Sequence, residues 1–263
     1  MIQKTFTKTE TWYQDADDYW NKVGADENGM LGGLKIVHGP DIRDSKQFLK
    51  AALKHHNIIT SEQETSGNVI DNGLYVLDCG AGIGRVSKFL LSEFFSKIDI
   101  VEQNAKFVET AKNNYLSDLI DRGQVINLYV SGLQEFEFCT PDDSNSDHPE
   151  SSNGNLQEIN TTKNKIYDVI WCQWVLSHLA DEDLVSFLIK CKTGLSPNGI
   201  IFVKENVCSF NYVVDKQDSS VTRSSVIFES LFEKAGMKII IQKVQHGFPR
   251  DLFKVRMWAL APK

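Results

Sequence analysis

The sequence predicts an α/β domain of about seven strands, a mostly parallel sheet with an antiparallel pair closing it, behind an N-terminal helical segment. Three observations carry that reading. Val76-Leu-Asp-Cys-Gly-Ala-Gly-Ile-Gly-Arg85 reads as strand, tight turn and helix start: apolar run, acid, then alternating glycines. After it, short apolar runs alternate with amphipathic segments, as repeated β–α units with right-handed crossovers do. Ile200 to Glu205 is almost wholly apolar, as a strand covered on both faces should be.

Size and composition fit this and exclude other classes. At 263 residues, 41% hydrophobic and 24% charged, the chain holds one large α/β domain or two small ones with an adequate core. A formal net charge of −7 argues against a broad nucleic-acid surface, which needs clustered Lys and Arg, and suits a cationic partner or a small ligand. Five scattered cysteines without a C-x-x-C pair indicate neither a disulfide framework nor a zinc site. The N-terminus lacks the apolar core of a signal peptide, and no apolar run is long enough to span a bilayer. The expectation is a cytoplasmic protein, with the nucleus as a second compartment and no membrane partner.

Residues 1–12 are polar and read as loose. Tyr13, Ala16, Tyr19, Trp20 and Val23 give a helical pattern, and Asp41 to Leu53 gives another, with Ile42, Phe48, Leu49 and Leu53 on one side. Between them, Asn28-Gly-Met-Leu-Gly-Gly33 either holds Met30 and Leu31 over a pocket or tucks them into the core; spacing leaves both open. Residues 1–56 thus form a helical extension, or lid, before a sheet domain over 57–263 that starts with a polar connection at 57–72. Strand 74–79, helix 84–95, strand 97–102, helix 107–119 and strand 124–130 follow. Residues 140–164, rich in Asn, Ser and Asp, read as a disordered insertion within the domain, because the alternation resumes after them. Tyr167 to Cys172 is the fourth strand. Asp181 is placed to cap a helix from Glu182 to Leu195 that Ser196-Pro-Asn-Gly199 stops. Strand 200–205, a polar stretch with Asp215 and Asp218, a helix from about Ser224 to Ala235, and β segments at 237–244 and 252–260 complete the chain.

The turn after the first strand has G-x-G-x-G spacing, not the G-x-G-x-x-G of dinucleotide binding. It lies at the carboxyl edge of the sheet, where open α/β sheets bind ligands, with its glycines where the backbone approaches one. Glu102 closes the second strand 22 residues beyond Gly80, where an acid accepts hydrogen bonds from both ribose hydroxyls of an adenosine. Together these favour S-adenosylmethionine (SAM) over NAD and over an ordinary turn that binds nothing. Leu133-Gln134 follow the third strand, Gln173, Trp174 and His178 the fourth, and Glu205-Asn206 the fifth. A lone histidine is more often structural and a lone tryptophan more often core. Convergence on one sheet edge is what raises them to site candidates.

At these residues the chain resembles the eukaryotic protein N-terminal methyltransferases, in a fungal-type form. The resemblance rests on Asp78-Cys-Gly-Ala-Gly-Ile-Gly-Arg85, Gly132-Leu-Gln134, Ile170-Trp-Cys-Gln-Trp174 with His178, Pro197-Asn-Gly199, Asp218-Ser-Ser-Val221, and Gly29-Met-Leu-Gly-Gly33 behind Tyr19-Trp20. It implies a class I SAM-dependent methyltransferase (Rossmann-like) fold and methylation of the α-amine of proteins whose exposed N-terminus reads X-Pro-Lys or X-Pro-Arg, ribosomal proteins among them. S-adenosylhomocysteine would be the product, and the enzyme a monomer with no nucleic-acid partner. Carried over by position, Gly80, Arg85, Glu102, Leu133, Gln134 and Gln173 would hold SAM, with Arg85 on its carboxylate. Leu31 and Trp174 would frame the second-position proline, Asn206 would anchor the first residue, and Asp215 with Asp218 would meet the third-position cation. Asp218 and His178 would accept the proton, with Ser220 and Trp20 nearby. Two departures stand out: Glu102 replaces a shorter acid of animal members, and Phe253 stands where some members have a tyrosine. Two other readings remain at this stage: a methyltransferase acting on a lysine side chain or small amine, and a SAM-binding protein without catalysis.

Overall fold

The computed structural model describes residues 5–59, 73–138, 161–162 and 166–263; most of the 57–72 connection and of the 140–164 insertion lies outside them. The strands are β1 (Tyr75–Cys79), β2 (Lys97–Glu102), β3 (Val125–Val130), β4 (Glu137–Phe138), β5 (Thr161–Thr162), β6 (Tyr167–Gln173), β7 (Leu195–Val207), β8 (Tyr212–Asp215), β9 (Ser220–Arg223), β10 (Met237–Val244) and β11 (Lys254–Pro262). Seven of them form one sheet in the order β10-β11-β7-β6-β1-β2-β3. Its core strands pair in parallel, and β11 runs antiparallel to both β7 and β10, which is the architecture the sequence predicts.

The helices are α1 (Trp12–Trp20), α2 (Glu27–Met30), α3 (His38–His55), α4 (Arg85–Phe89), α5 (Ala105–Thr110), α6 (Ser117–Asp121), α7 (Asp181–Gly194) and α8 (Ser225–Lys234). They explain why the central strands are mostly apolar on both faces. Leu77 and Cys79 of β1 join one core with Phe187, Leu188 and Phe228 of α7 and α8. Val76 joins the other, with Phe48 and Leu49 of α3. Successive strand residues face opposite sides, so each side of β1 must be apolar. No helix among the described residues is long and apolar enough to cross a membrane.

The sheet order reverses at β1. From there the chain moves outward through β2 and β3, then returns to β6 on the other flank and continues to β7. The crevice between the carboxyl ends of β1 and β6 is therefore the switch point of the sheet, where a ligand site is expected.

Several elements depart from the sequence reading. The helix expected over 84–95 ends at Phe89, because Leu90 leaves helical geometry (φ −126°, ψ −64°) before a single 3-10 turn at Leu91–Glu93. Adjacent helical residues point about 100° apart, and this break lets Leu90 and Leu91 both reach the core. The helix expected over 107–119 is α5 and α6 joined through a π-type turn at Ala111–Tyr115, entered at Asn104, whose side chain accepts from the Phe107 amide at 3.2 Å. Ser196–Gly199 is a bulge inside β7: the register with β6 jumps from Tyr167↔Leu195 to Val169↔Ile200. The polar stretch bearing Asp215 and Asp218 is an antiparallel hairpin, β8–β9. Asp181 does not cap α7. Its carboxylate instead accepts from the buried Arg223 Nε at 2.8 Å and the Phe6 amide at 2.9 Å.

The N-terminal segment is bound to the sheet domain by these same residues. Trp12 Nε1 donates to the His178 carbonyl at 2.7 Å, and Lys8 and the Tyr13 hydroxyl both meet the Asp183 carboxylate. Phe6 and Trp12 are buried together, rings 4.8 Å apart. Within the lid expected over residues 1–56, the segment from Phe6 to Trp20 thus roofs the loop that carries His178.

Candidate active site

The glycine turn takes its shape from positive φ at Gly80 (66°) and Gly82 (56°), where an L side chain is strained. A Cβ on Gly80 would collide with the Val175 side chain, and one on Gly82 would stand 2.5 Å from Met30 Sδ. The close approach that requires glycine here is at least in part to the protein itself, and Gly80 and Gly82 also line the cleft described below. Glu102, at the end of β2, ties the turn down: one oxygen accepts from the Gly82 amide at 2.9 Å and the other from the Asn104 amide at 2.8 Å. The carboxylate has about four acceptor sites, so it can accept further hydrogen bonds beside these amides. Burial pushes the Glu102 carboxyl up, against the three backbone amides that favour its ionised form.

Arg85 follows the turn and is nearly buried. Its Nη2 lies 2.7 Å from Asp41 Oδ2, while Nη1 is buried without a partner. Gln173 Nε2 donates to the same Asp41 carboxylate at 2.9 Å, and Lys204 forms an ion pair with it. Neither Asp41 nor Lys204 was singled out from the sequence. Asp41 is wholly buried, the opposite charges of Lys204 and Arg85 outweigh the cost of that burial, and its carboxyl lies below the ordinary value.

All six residues expected to hold SAM, namely Gly80, Arg85, Glu102, Leu133, Gln134 and Gln173, line one cleft at the switch point. From the acceptor set, Trp20, Trp174 and His178 line it too, and α1 adds Tyr13 and Ala16, which the sequence reading did not assign. Met30 also lines it whereas Leu31 is buried, so each of the two readings of Gly29–Gly33 holds for one residue. Leu31, Asn206, Asp215, Asp218 and Ser220 are not on its wall. Asn206 sits near the end of β7, facing Val255 of β11. Asp215 ends β8 and is exposed, Ser220 opens β9, and Asp218 lies in the turn between them. Phe253 is 47% exposed and makes no part of the wall.

Asp218 nevertheless reaches the cleft through its neighbours. Its charge acts on His178 and on Tyr19, and its Oδ1 is buried without a partner. His178 Nδ1 is 3.1 Å from the Ser219 carbonyl. A carbonyl can only accept, so Nδ1 carries the proton and Nε2 of the neutral ring keeps its lone pair. Burial holds the imidazole below its ordinary value, with the Asp218 charge opposing, so the ring is neutral at physiological pH. The Trp20 ring meets His178 edge-on at 5.7 Å. Trp174 and Ser219, on either side of this arrangement, both hold left-handed backbone (φ 52°), a conformation that non-glycine residues keep only under tertiary constraint.

Glu205, next to Asn206, supports the same loop. Its Oε1 accepts from the Val175 and Leu176 amides at 2.9 and 2.8 Å, and burial pushes its carboxyl up to about 7. An unfolded glutamate titrates near about 4.3, so the fold favours the protonated form. The stabilisation is complete below that value and is lost as pH rises through 7, by up to about 1.4 kcal/mol per pH unit. Glu205→Gln should therefore make the melting temperature fall less between pH 5 and 8 than in the wild-type protein. Equal slopes would show that Glu205 is ionised throughout.

Comparison with known proteins decides the family. The sequence profile of the AdoMet dependent proline di-methyltransferases matches residues 8–261. The chain belongs to this family. Alpha N-terminal protein methyltransferase 1 of Dictyostelium discoideum is 39% identical over 255 residues, covering 97% of this chain and 81% of that one. N-terminal Xaa-Pro-Lys N-methyltransferase 1-B of Xenopus laevis is 36% identical over 249 residues, 95% of each. A SAM-dependent methyltransferase of Leishmania major superposes with a TM-score of 0.74 at 33% identity, covering 95% of this chain and 83% of that structure. Magnesium protoporphyrin IX methyltransferase of Synechocystis, solved with SAM bound, shares the fold alone: TM-score 0.60 at 13% identity, covering 98% of this chain and 100% of that one.

SAM is the cofactor of the family's chemistry, and this cleft fits it. The unpartnered Arg85 Nη1 is a buried cationic donor suited to the methionine carboxylate. The remaining acceptor capacity of Glu102 suits ribose hydroxyls, and the buried Leu133 offers an apolar wall for a purine. Among the described residues, no group of three or more His, Cys, Asp and Glu is placed to hold a metal ion.

Proposed function

We propose that this chain methylates the α-amino group of proteins whose exposed N-terminus reads X-Pro-Lys or X-Pro-Arg. The observation that carries the reading is the joining of two halves in one cleft: the Arg85–Glu102–Gln173 cofactor wall and the Trp174–His178 wall backed by Asp218. When bound, SAM supplies an electrophilic methyl group and leaves as S-adenosylhomocysteine. The residues of the chain have three tasks. Trp174, with its strained backbone, presents a flat face for a proline ring, which has no N–H to satisfy and a fixed φ. Asp215 and Asp218 give the hairpin a negative charge for the third-position Lys or Arg. His178 Nε2 and the free Asp218 Oδ1 stand ready to take the amine proton, after which the nitrogen lone pair forms the N–CH₃ bond.

The acceptor suits so modest a pair of bases. An α-amine has a reference pKa of about 7.7–8.0, against about 10.4 for lysine, so a useful neutral fraction exists at physiological pH. Repeated transfer would give di- or trimethylation where each methylated amine can shed its proton. Ribosomal proteins with such termini, met in the cytoplasm by a monomeric enzyme, are the setting we propose.

The test is mass spectrometry of synthetic peptides incubated with purified protein and SAM. Pro-Pro-Lys and Ser-Pro-Lys peptides should gain methyl groups at the α-amine, and matched peptides with Gln third should not. Labelling of internal lysines in preference to free termini would replace this reading with a lysine methyltransferase, and equal labelling of the Lys and Gln peptides would remove the sequence specificity.

A further inference from the structure

Behind the cofactor wall lies a buried ion pair, Asp41 with Lys204, that does not itself line the cleft. Asp41, on the first turn of α3, is fully buried, and Lys204, toward the carboxyl end of β7, is 1% exposed. Lys204 Nζ pairs with Asp41 Oδ1 and donates to Ser45 Oγ at 2.8 Å and Gln245 Oε1 at 2.7 Å. The second oxygen of Asp41 holds Arg85 Nη2 at 2.7 Å, and Gln173 Nε2 donates to both carboxylate oxygens at 2.9 and 3.1 Å. Arg85 and Gln173 line the cleft; Asp41 and Lys204 do not.

Two cations share one carboxylate here, which leaves the buried cluster with a charge of +1. One edge of the guanidinium is fixed by Asp41 while Nη1 has no partner. A free arginine side chain is flexible, and ordering it at the moment of binding weakens an anion site. With one edge already clamped, the other is presented in a single orientation. Lys204 matters because it draws on the same carboxylate. An Asp41 paired with Arg85 alone would cancel the charge that an incoming anion needs.

We infer that Asp41 is a positioning residue, with Lys204 as its charge partner, that aims Arg85 at the methionine carboxylate of SAM. This rests on SAM being the occupant of the cleft and not on the identity of the methyl acceptor. It also joins cofactor binding to α3, which belongs to the N-terminal extension and not to the sheet.

Calorimetric titration of the purified full chain tests it with two ligands. S-adenosylhomocysteine carries the carboxylate; 5′-methylthioadenosine keeps the adenosine and the sulfur but lacks the amino-acid part. Asp41→Asn should weaken S-adenosylhomocysteine by about tenfold, the loss of roughly one charge-assisted hydrogen bond, and leave methylthioadenosine within about twofold. Equal weakening of both ligands would mean that Asp41 only holds α3 in place, and would overturn the inference. Should Asp41→Asn fail to fold, Asp41→Asn with Lys204→Met removes both partners of the buried pair, a change that folds often tolerate, and keeps the cluster at +1. Positioning predicts that this double variant binds S-adenosylhomocysteine about tenfold more weakly than the wild-type protein and methylthioadenosine within about twofold of it. Wild-type affinity in it would show that the clamp on Arg85 contributes nothing, and would overturn the inference. Failure of the wild-type protein to bind S-adenosylhomocysteine would instead sink the cofactor reading itself.

Discussion

Asp218→Asn is expected to lower kcat by roughly 10²–10⁴-fold, the range that a positioned proton acceptor contributes, while S-adenosylhomocysteine affinity stays unchanged. The argument starts from an anomaly: Asp218 Oδ1 is buried in the hairpin turn without any hydrogen-bond partner. Leaving a polar oxygen unsatisfied costs stability, so such an atom suggests a partner that arrives with the substrate. His178 stands beside it with its Nδ1 proton committed to the Ser219 carbonyl, which leaves the ring's lone pair on Nε2. Asparagine keeps the size of the side chain and removes both the charge and the basicity. Because Asp218 is not on the cofactor wall, binding of the donor product should not respond. Steady-state kinetics with a Ser-Pro-Lys peptide, paired with calorimetry, check both halves. A kcat loss under tenfold would move the proton to His178 alone.

Asp181→Ala should destabilise the protein by roughly 3–5 kcal/mol, because it leaves the fully buried Arg223 uncompensated. Arg223 then keeps only the Leu176 and Leu179 carbonyls, at 3.2 and 2.6 Å, and the Phe6 amide loses its acceptor. For a chain of this size that corresponds to a fall of about 6–20 °C in melting temperature, measurable by calorimetry or thermal fluorescence. The pair clamps the segment from Leu176 to Leu179, so peptide turnover should also fall at temperatures where the variant is still folded. A change under about 3 °C would show that the clamp contributes little.

The sheet was legible in the sequence because its signals are local and repeated. Apolar runs, the G-x-G-x-G turn and Glu102 at a strand end each need only a few neighbouring residues, and the residues they pointed to line one cleft. What failed depended on distant partners. Asp181 before a helical run looks like a cap, and only the fold brings it to Arg223, 42 residues on. Asp41 after Pro40 looks like an ordinary acidic helix start. One clue was available: Lys204 interrupts an apolar strand expected to be covered on both faces, and a buried lysine requires a counter-ion. The β8–β9 hairpin escaped because its four-residue strands alternate too briefly to stand out among polar neighbours.

The roof over His178 also sets an order of assembly. Trp12 finds its carbonyl partner 166 residues further along the chain, and the Phe6 amide finds Asp181 after 175. At a synthesis rate of about 5–20 residues per second, α1 therefore waits on the order of ten to thirty seconds for the surface that receives it. Nine residues are too few to hold a helix alone, and these nine include Trp12, Tyr13, Tyr19 and Trp20. During that interval the emerging chain carries an unshielded aromatic cluster, a surface that chaperones bind. The part of the catalytic cleft made first is thus among the last to be placed.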